Sequence, residues 1–123
     1  MSTAVKRKLS GSVDGKPIKL TQTSSDASPE PETIHTAVAG TTAGTFDEIW
    51  LWAFNSHTGN IKLTIEFGGA DAPDQNIIIT IPALAGLVPV VPGLILQNGA
   101  TVKAFASSAN VITIIGFVNS ITD

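Results

Sequence analysis

The chain has 123 residues, of which 43% are hydrophobic and 14% charged, with no cysteine and a net charge of −3. That length supports one domain with its own core, burying roughly two-thirds of the unfolded surface. The absence of thiols excludes disulfides and thiolate metal sites and leaves the compartment open on redox grounds, while a charged fraction well below the roughly 25% of typical soluble domains leaves few surface positions to charge.

The first stretch, MSTAVKRKLSGSV, carries a basic patch with no apolar run behind it, which argues against a secretory signal and predicts assembly in the cytoplasm. Residues 1–19 hold Lys6, Arg7, Lys8, Lys16 and Lys19 against Asp14 alone, a net of +4, whereas the remainder carries −7. A basic arm therefore precedes an acidic body. Nucleic acid is a poor fit to that arm, because the cluster from Lys6 to Lys8 is short and has no aromatic residue interleaved for base stacking. A partner-facing or solvated segment is expected instead. Asp14-Gly15 predicts a tight turn between two short extended pieces. Thr21 to Glu32, TQTSSDASPEPE, has no hydrophobic period and reads as a loop or linker, so the arm is expected to lie away from the core. The predicted division is an arm and linker over 1–32 and a β-sandwich over 33–123.

Thr33 to Ala39 predicts a strand with Ile34, Thr36 and Val38 on one side and His35 and Ala37 on the other. Phe46 to Asn55, FDEIWLWAFN, predicts a stronger one. Phe46, Trp50, Trp52 and Phe54 share one face and Ile49, Leu51 and Ala53 the other. Both faces are apolar, so the second needs a cover from an arm or a neighbouring subunit. Ser56 to Asn60 predicts a hairpin loop, and Ile61 to Phe67 a half-exposed strand with Lys62, Thr64 and Glu66 outward. Gly68 to Asp74 is a turn.

No charged residue stands between Asp74 and Lys103, and Ile77 to Leu96, IIITIPALAGLVPVVPGLIL, is long enough to cross a bilayer as a helix. Pro82, Pro89 and Pro92 would break such a helix, Gly86 and Gly93 weaken it further, and no basic cluster flanks it. Two or three buried β-segments are expected and no membrane partner. Asn98-Gly99 is the strongest hairpin signal, predicted to join Leu94–Leu96 to Thr101–Ser107. Val111 to Val118, VITIIGFV, is again apolar on both faces, with Gly116 marking a bulge or a close approach. About eight short strands without a convincing helix predict an antiparallel β-sandwich or a jelly roll.

Chemistry-bearing side chains are scattered. His35 and His57 lie on different elements without a short-spaced ligand partner; His57 reads as an exposed loop residue and His35 as a strand-surface or interface residue. Asp47 and Glu48 are adjacent on a strand and point to opposite faces, which is poor geometry for acid–base work. Asp71 and Asp74 match a calcium loop weakly, and Gly68-Gly69 lacks phosphate-cradle spacing. The expectation is a protein with no catalytic residues, no metal and no cofactor. The stripe of Trp50, Trp52 and Phe54 fits a core or an interface, and as an alternative a platform for sugar stacking.

Three phrases, AVKRKLSG…DGKPIKL, FDEIWLWAFN with KLTIEFGG, and VVPGLILQNG with GFVNSIT, together resemble small virion structural proteins of tailed bacteriophages, above all their capsid decoration or cement proteins. The resemblance implies a β-sandwich or jelly roll, a homo-oligomer such as a trimer, and a seat on the outer capsid surface of the virion, against the major capsid protein. It also implies extended terminal arms that clamp a neighbour or the shell. On that basis Lys6, Arg7 and Lys8 are expected in a capsid-contacting arm, and Trp50, Trp52, Phe54, Ile112, Ile114 and Val118 in the core or an oligomer interface. A tail or connector component shares the same fold class.

Overall fold

Period-two patterning gives strands along the whole chain: β1 (Thr3–Lys8), β2 (Ile18–Lys19), β3 (Glu32–Thr36), β4 (Phe46–Asn55), β5 (Ile61–Phe67), β6 (Asn76–Ile81), β7 (Val88–Leu96), β8 (Thr101–Ala106) and β9 (Ile112–Thr122). The structure, a computed structural model, describes residues 2–123, and among these there is no helix. The pairings are nested and antiparallel: β5 with β6, β4 with β7, β3 with β8, and β1 and β2 both with β9. Folding this nest over itself gives a five-stranded sheet, β1-β9-β4-β7 with β2 also on β9, and a four-stranded sheet, β3-β8-β5-β6. That strand order is a jelly roll.

The core lies between the sheets. Ile49, Leu51 and Ala53 of β4 and Ile112, Ile114 and Val118 of β9 face Leu63, Ile65, Val102 and Ala104 from the other sheet, all at most 1% exposed. The stretch Ile77–Leu96 becomes most of β6, a turn and the whole of β7, with Pro82 just past the end of β6 and Pro89 and Pro92 within the edge strand β7, where a missing donor is tolerated. Both strands stay partly exposed, so these segments are less buried than the sequence predicts. Among the described residues no helix is long and apolar enough to cross a membrane.

Several expectations need correcting. The N-terminal segment does not lie away from the core: β1 and β2 extend the sheet along one edge of β9, and Leu9 and Leu20, 1% and 0% exposed, anchor them. Each such side chain contributes roughly 1.5–3 kcal/mol on burial, enough to fix an otherwise polar segment. The β1 residues themselves remain exposed on both faces. The linker is not free of the body either. Ala106 N–H donates to the Gln22 carbonyl at 3.3 Å and Lys103 Nζ meets Glu30 Oε2 at 2.8 Å, so residues 21–32 strap the outer side of the four-stranded sheet. Under that strap Thr64 and Glu66 point outward from β5 and are nonetheless buried.

In β3 a register shift between Thr33 and His35 puts Ile34 and His35 both inside, which breaks the expected alternation. Lastly, Asn98 and Gly99 adopt the positive φ values of 60° and 68° that their chemistry favours, yet β7 and β8 belong to different sheets. The turn carries the chain across the sandwich instead of closing a hairpin, as does the Ser56–Asn60 turn between β4 and β5.

Gly116 is a close approach. A Cβ there would sit 2.0 Å from the Trp50 carbonyl oxygen. Gly116→Ala is expected to lower the unfolding free energy by about 2 kcal/mol or more, because the obstacle is backbone rather than a side chain that can turn aside. Denaturant titration of wild type and variant checks this; unchanged midpoints would contradict the approach.

Candidate functional site

The even-numbered residues of β4 face outward from the five-stranded sheet, and their partners on β7 and β9 face the same way. Trp50 stands opposite Pro92 and Phe117, and Trp52 opposite Pro89 and Ile115. The rings gather: Phe117 lies 6.2 Å from Trp50 and 6.0 Å from Trp52, centroid to centroid, with planes inclined by 15° and 27°. Pairs of this kind add roughly 0.5–1.5 kcal/mol beyond their burial. Lys6 of β1 places its Nζ 4.3 Å from the Phe117 centroid, a cation over a ring face. Trp50, Trp52, Phe54, Ile115 and Phe117 all remain partly exposed.

This platform is fixed from below and from the side. Trp50 Nε1 donates to Glu48 Oε1 at 2.8 Å, and Asn119 Nδ2 donates to the same oxygen at 3.0 Å. The hydrogen bond from Asn119 and then that from Trp50 hold the Glu48 carboxyl below its ordinary range. Gly93, at φ 77°, lets the indole lie against β7, since a Cβ there would meet the Trp50 ring at 2.7 Å.

The residues expected in core or interface thus divide. Ile112, Ile114 and Val118 lie in the core, while Trp50, Trp52 and Phe54 form the outer platform. The basic cluster divides too. Lys6 covers Phe117, Lys8 Nζ donates to the Ser12 carbonyl at 2.9 Å, and Arg7 lines a groove on the opposite side of β1.

That groove, about 460 Å³, also reaches His35, Asp47, Ser120 and Thr122. His35 Nε2 and Asp47 Oδ2 are 2.7 Å apart, Ser10 N–H donates to His35 Nδ1 at 3.0 Å, and Val38 N–H donates to Asp47 Oδ2 at 3.1 Å. A backbone donor on Nδ1 puts the ring proton on Nε2, so both nitrogens are engaged and neither is free to take a proton from a bound molecule. His35 is therefore a buried tie between β3, β4 and the turn after β1, 4% exposed, and not the surface residue its place in the sequence predicts. Asp47 Oδ1 is buried without a hydrogen-bond partner among the described residues.

His57 is exposed and accepts from Gly59 N–H through Nδ1 at 2.9 Å, shaping its own turn. Asp71 is tied to Gln75, whose backbone N–H donates to its carbonyl at 2.9 Å. Among the described residues no three His, Asp or Glu side chains converge as metal ligands. Phe117 escaped sequence reasoning even though its strand read as apolar on both faces; the missing signal was which strand lies beside β4.

Glu66, 4% exposed, lies beneath the strap at a small recess of about 140 Å³ with Ser25, Glu30 and Lys103. Its Oε2 has no hydrogen-bond partner among the described residues, and burial pushes its carboxyl above the ordinary value, against the opposing pull of Lys103. The neighbouring Glu30 is lowered by its hydrogen bond to Lys103 and by that charge. Compared with known proteins, the chain matches no family model, no curated protein and no solved structure.

A folded-state pKa raised above the unfolded one means that the ionised Glu66 costs stability at high pH, and that the cost fades as pH falls towards the unfolded value. Glu66→Gln is therefore expected to raise Tm at about pH 8 and to lose that gain as the pH approaches about 4. Thermal scans across that range decide it; a gain that does not vary with pH would point to packing instead.

Proposed function

We propose that this chain is a non-enzymatic decoration, or cement, protein of a tailed-bacteriophage virion. On this reading it sits on the outer capsid surface, associates with itself as a homo-oligomer, a trimer in the family it resembles, and binds the major capsid protein so as to stabilise the shell. The outer face of the five-stranded sheet carries the proposal: Trp50, Trp52 and Phe117 form a partly exposed aromatic surface, bordered by β1 with both of its faces exposed. Aromatic side chains at the centre of a patch with cations at its rim are the composition of a protein-binding surface. A jelly roll is used by viral capsid proteins and lectins alike, so the fold supports the reading without selecting it. His35, with both nitrogens occupied, supports a binding rather than a catalytic role. Many modest contacts, multiplied by an oligomer seated on several shell subunits, would supply the affinity.

Removing residues 1–20 is a poor test, because it takes Leu9 and Leu20 out of the core. Point changes on the surface are cleaner. Trp52→Ala with Phe117→Ala is expected to weaken binding to capsids lacking this protein by about tenfold or more, the scale of an aromatic hot spot, with the fold retained. Quantitative mass spectrometry of purified virions adds the decisive count. Copies comparable with the shell subunit support decoration, a handful of copies moves the protein to the tail or connector, and none removes it from the virion.

A second reading has its own observation. The two indoles lie on an outer sheet face instead of in the core, where a sugar ring can stack on them. A carbohydrate-binding module then predicts glycan-dependent quenching of tryptophan fluorescence that Trp52→Ala diminishes. A flat titration across a broad glycan panel dismisses it.

A further inference from the structure

The sandwich has four sheet edges, and three are protected. On β1 the edge strand carries Lys6, Arg7 and Lys8, and charged side chains on an edge discourage pairing with another chain. On β7, Pro89 and Pro92 remove donors and two register shifts bend the strand. The free side of β3 is covered by its own chain: Gly11 N–H donates to the Ile34 carbonyl at 3.0 Å, and Thr36 N–H donates to Ser10 Oγ at 2.7 Å.

The fourth edge, β6, has none of these devices. Its sequence NIIITI contains no charge, no proline and no glycine, and its ladder with β5 runs without a register shift. Phe67 N–H donates to the Gln75 carbonyl at 2.8 Å, so Ile77, Ile79 and Ile81 form the hydrogen-bonded pairs with β5. By the alternation of an antiparallel ladder, Ile78 and Thr80 then turn their N–H and C=O groups outward, along the open edge. Ile78 is 59% exposed, and Ile77 and Ile79, on the core side, stay partly exposed because the sheet stops at this strand.

We propose that β6 is a strand-addition surface through which two copies of this chain pair antiparallel about a two-fold axis, joining their four-stranded sheets into one. The proposal is independent of the capsid reading. The strand is complementary to itself in this arrangement: the axis beside Ile78 sets each Ile78 against its own copy and Asn76 against Thr80 of the partner subunit. No like charges meet, and the free backbone groups find partners while Ile77 and Ile79 gain cover. An isologous contact of this kind closes on itself and does not run on into a fibre. A strand of different sequence from another protein lacks that symmetric match, which is why the second copy is the occupant proposed.

Amide hydrogen exchange over a concentration series, with mass measured by sedimentation equilibrium, tests this on the unmodified chain. The Ile78 and Thr80 amides are expected to exchange at least about tenfold more slowly in the associated protein than on dilution, with the mass doubling from the diluted unit. Ile78→Lys and Thr80→Pro, both on the exposed side of an edge strand, should each halve that mass with the far-ultraviolet circular dichroism unchanged. Association with these two amides at open-strand rates would overturn the proposal, as would a monomer at every concentration or variants that keep the wild-type mass.

Discussion

Ten successive pairs between β4 and β9, from Phe46 with Ile121 to Asn55 with Ile112, set the parity of the whole molecule. Both strands are apolar on both faces, so the ladder has two hydrophobic sides, of which the sandwich covers one. Ile49, Leu51, Ile112 and Ile114 go inside, and that choice sends Trp50, Trp52, Ile115 and Phe117 outside. A slip of one residue would exchange the two sets and bury indoles where isoleucines now fit. The close approaches at Gly116, to the Trp50 carbonyl, and at Gly93, to the Trp50 ring, belong to the same register. Core and platform are thus two readings of one alignment.

The strands themselves were legible, because alternation and turn chemistry are local. Asp14-Gly15 and Asn98-Gly99 take the left-handed conformations their side chains permit. What such turns do not encode is the sheet to which the next strand belongs, and here β4 to β5 and β7 to β8 both cross the sandwich. Nor does FDEIWLWAFN say which of its two apolar faces is inside. Glu66 illustrates a different limit. Its alternation points it outward correctly, but the segment that covers it comes from residues 21–32, far away in sequence, held there by Gln22 and by Glu30 on Lys103. His35 was hidden by a bulge that puts it on the same side as Ile34.

The jelly roll also sorts polarity across the molecule. β1 and β3 border one side of the sandwich and β6 and β7 the other. The basic N-terminal strand therefore lies across the molecule from the uncharged stretch between Asp74 and Lys103, which supplies both β6 and β7. A surface divided in this way has one side suited to charged neighbours and one suited to apolar contact. The aromatic platform lies between them, with Lys6 at one border and Pro89 and Pro92 at the other.

The pairing of β1 with β9 sets Thr3 beside Thr122, with the first strand running back along the last. Hydrogen bonds in such a ladder lie perpendicular to the strands. A pull that separates Thr3 from Thr122 therefore loads them one at a time and peels β1 away like a zipper. A pull along the strand axis, between β1 and the body behind β9, loads the same bonds together. The edge is mechanically soft in the first direction and stiff in the second, so the direction in which a neighbour tugs on this strand decides whether it stays attached.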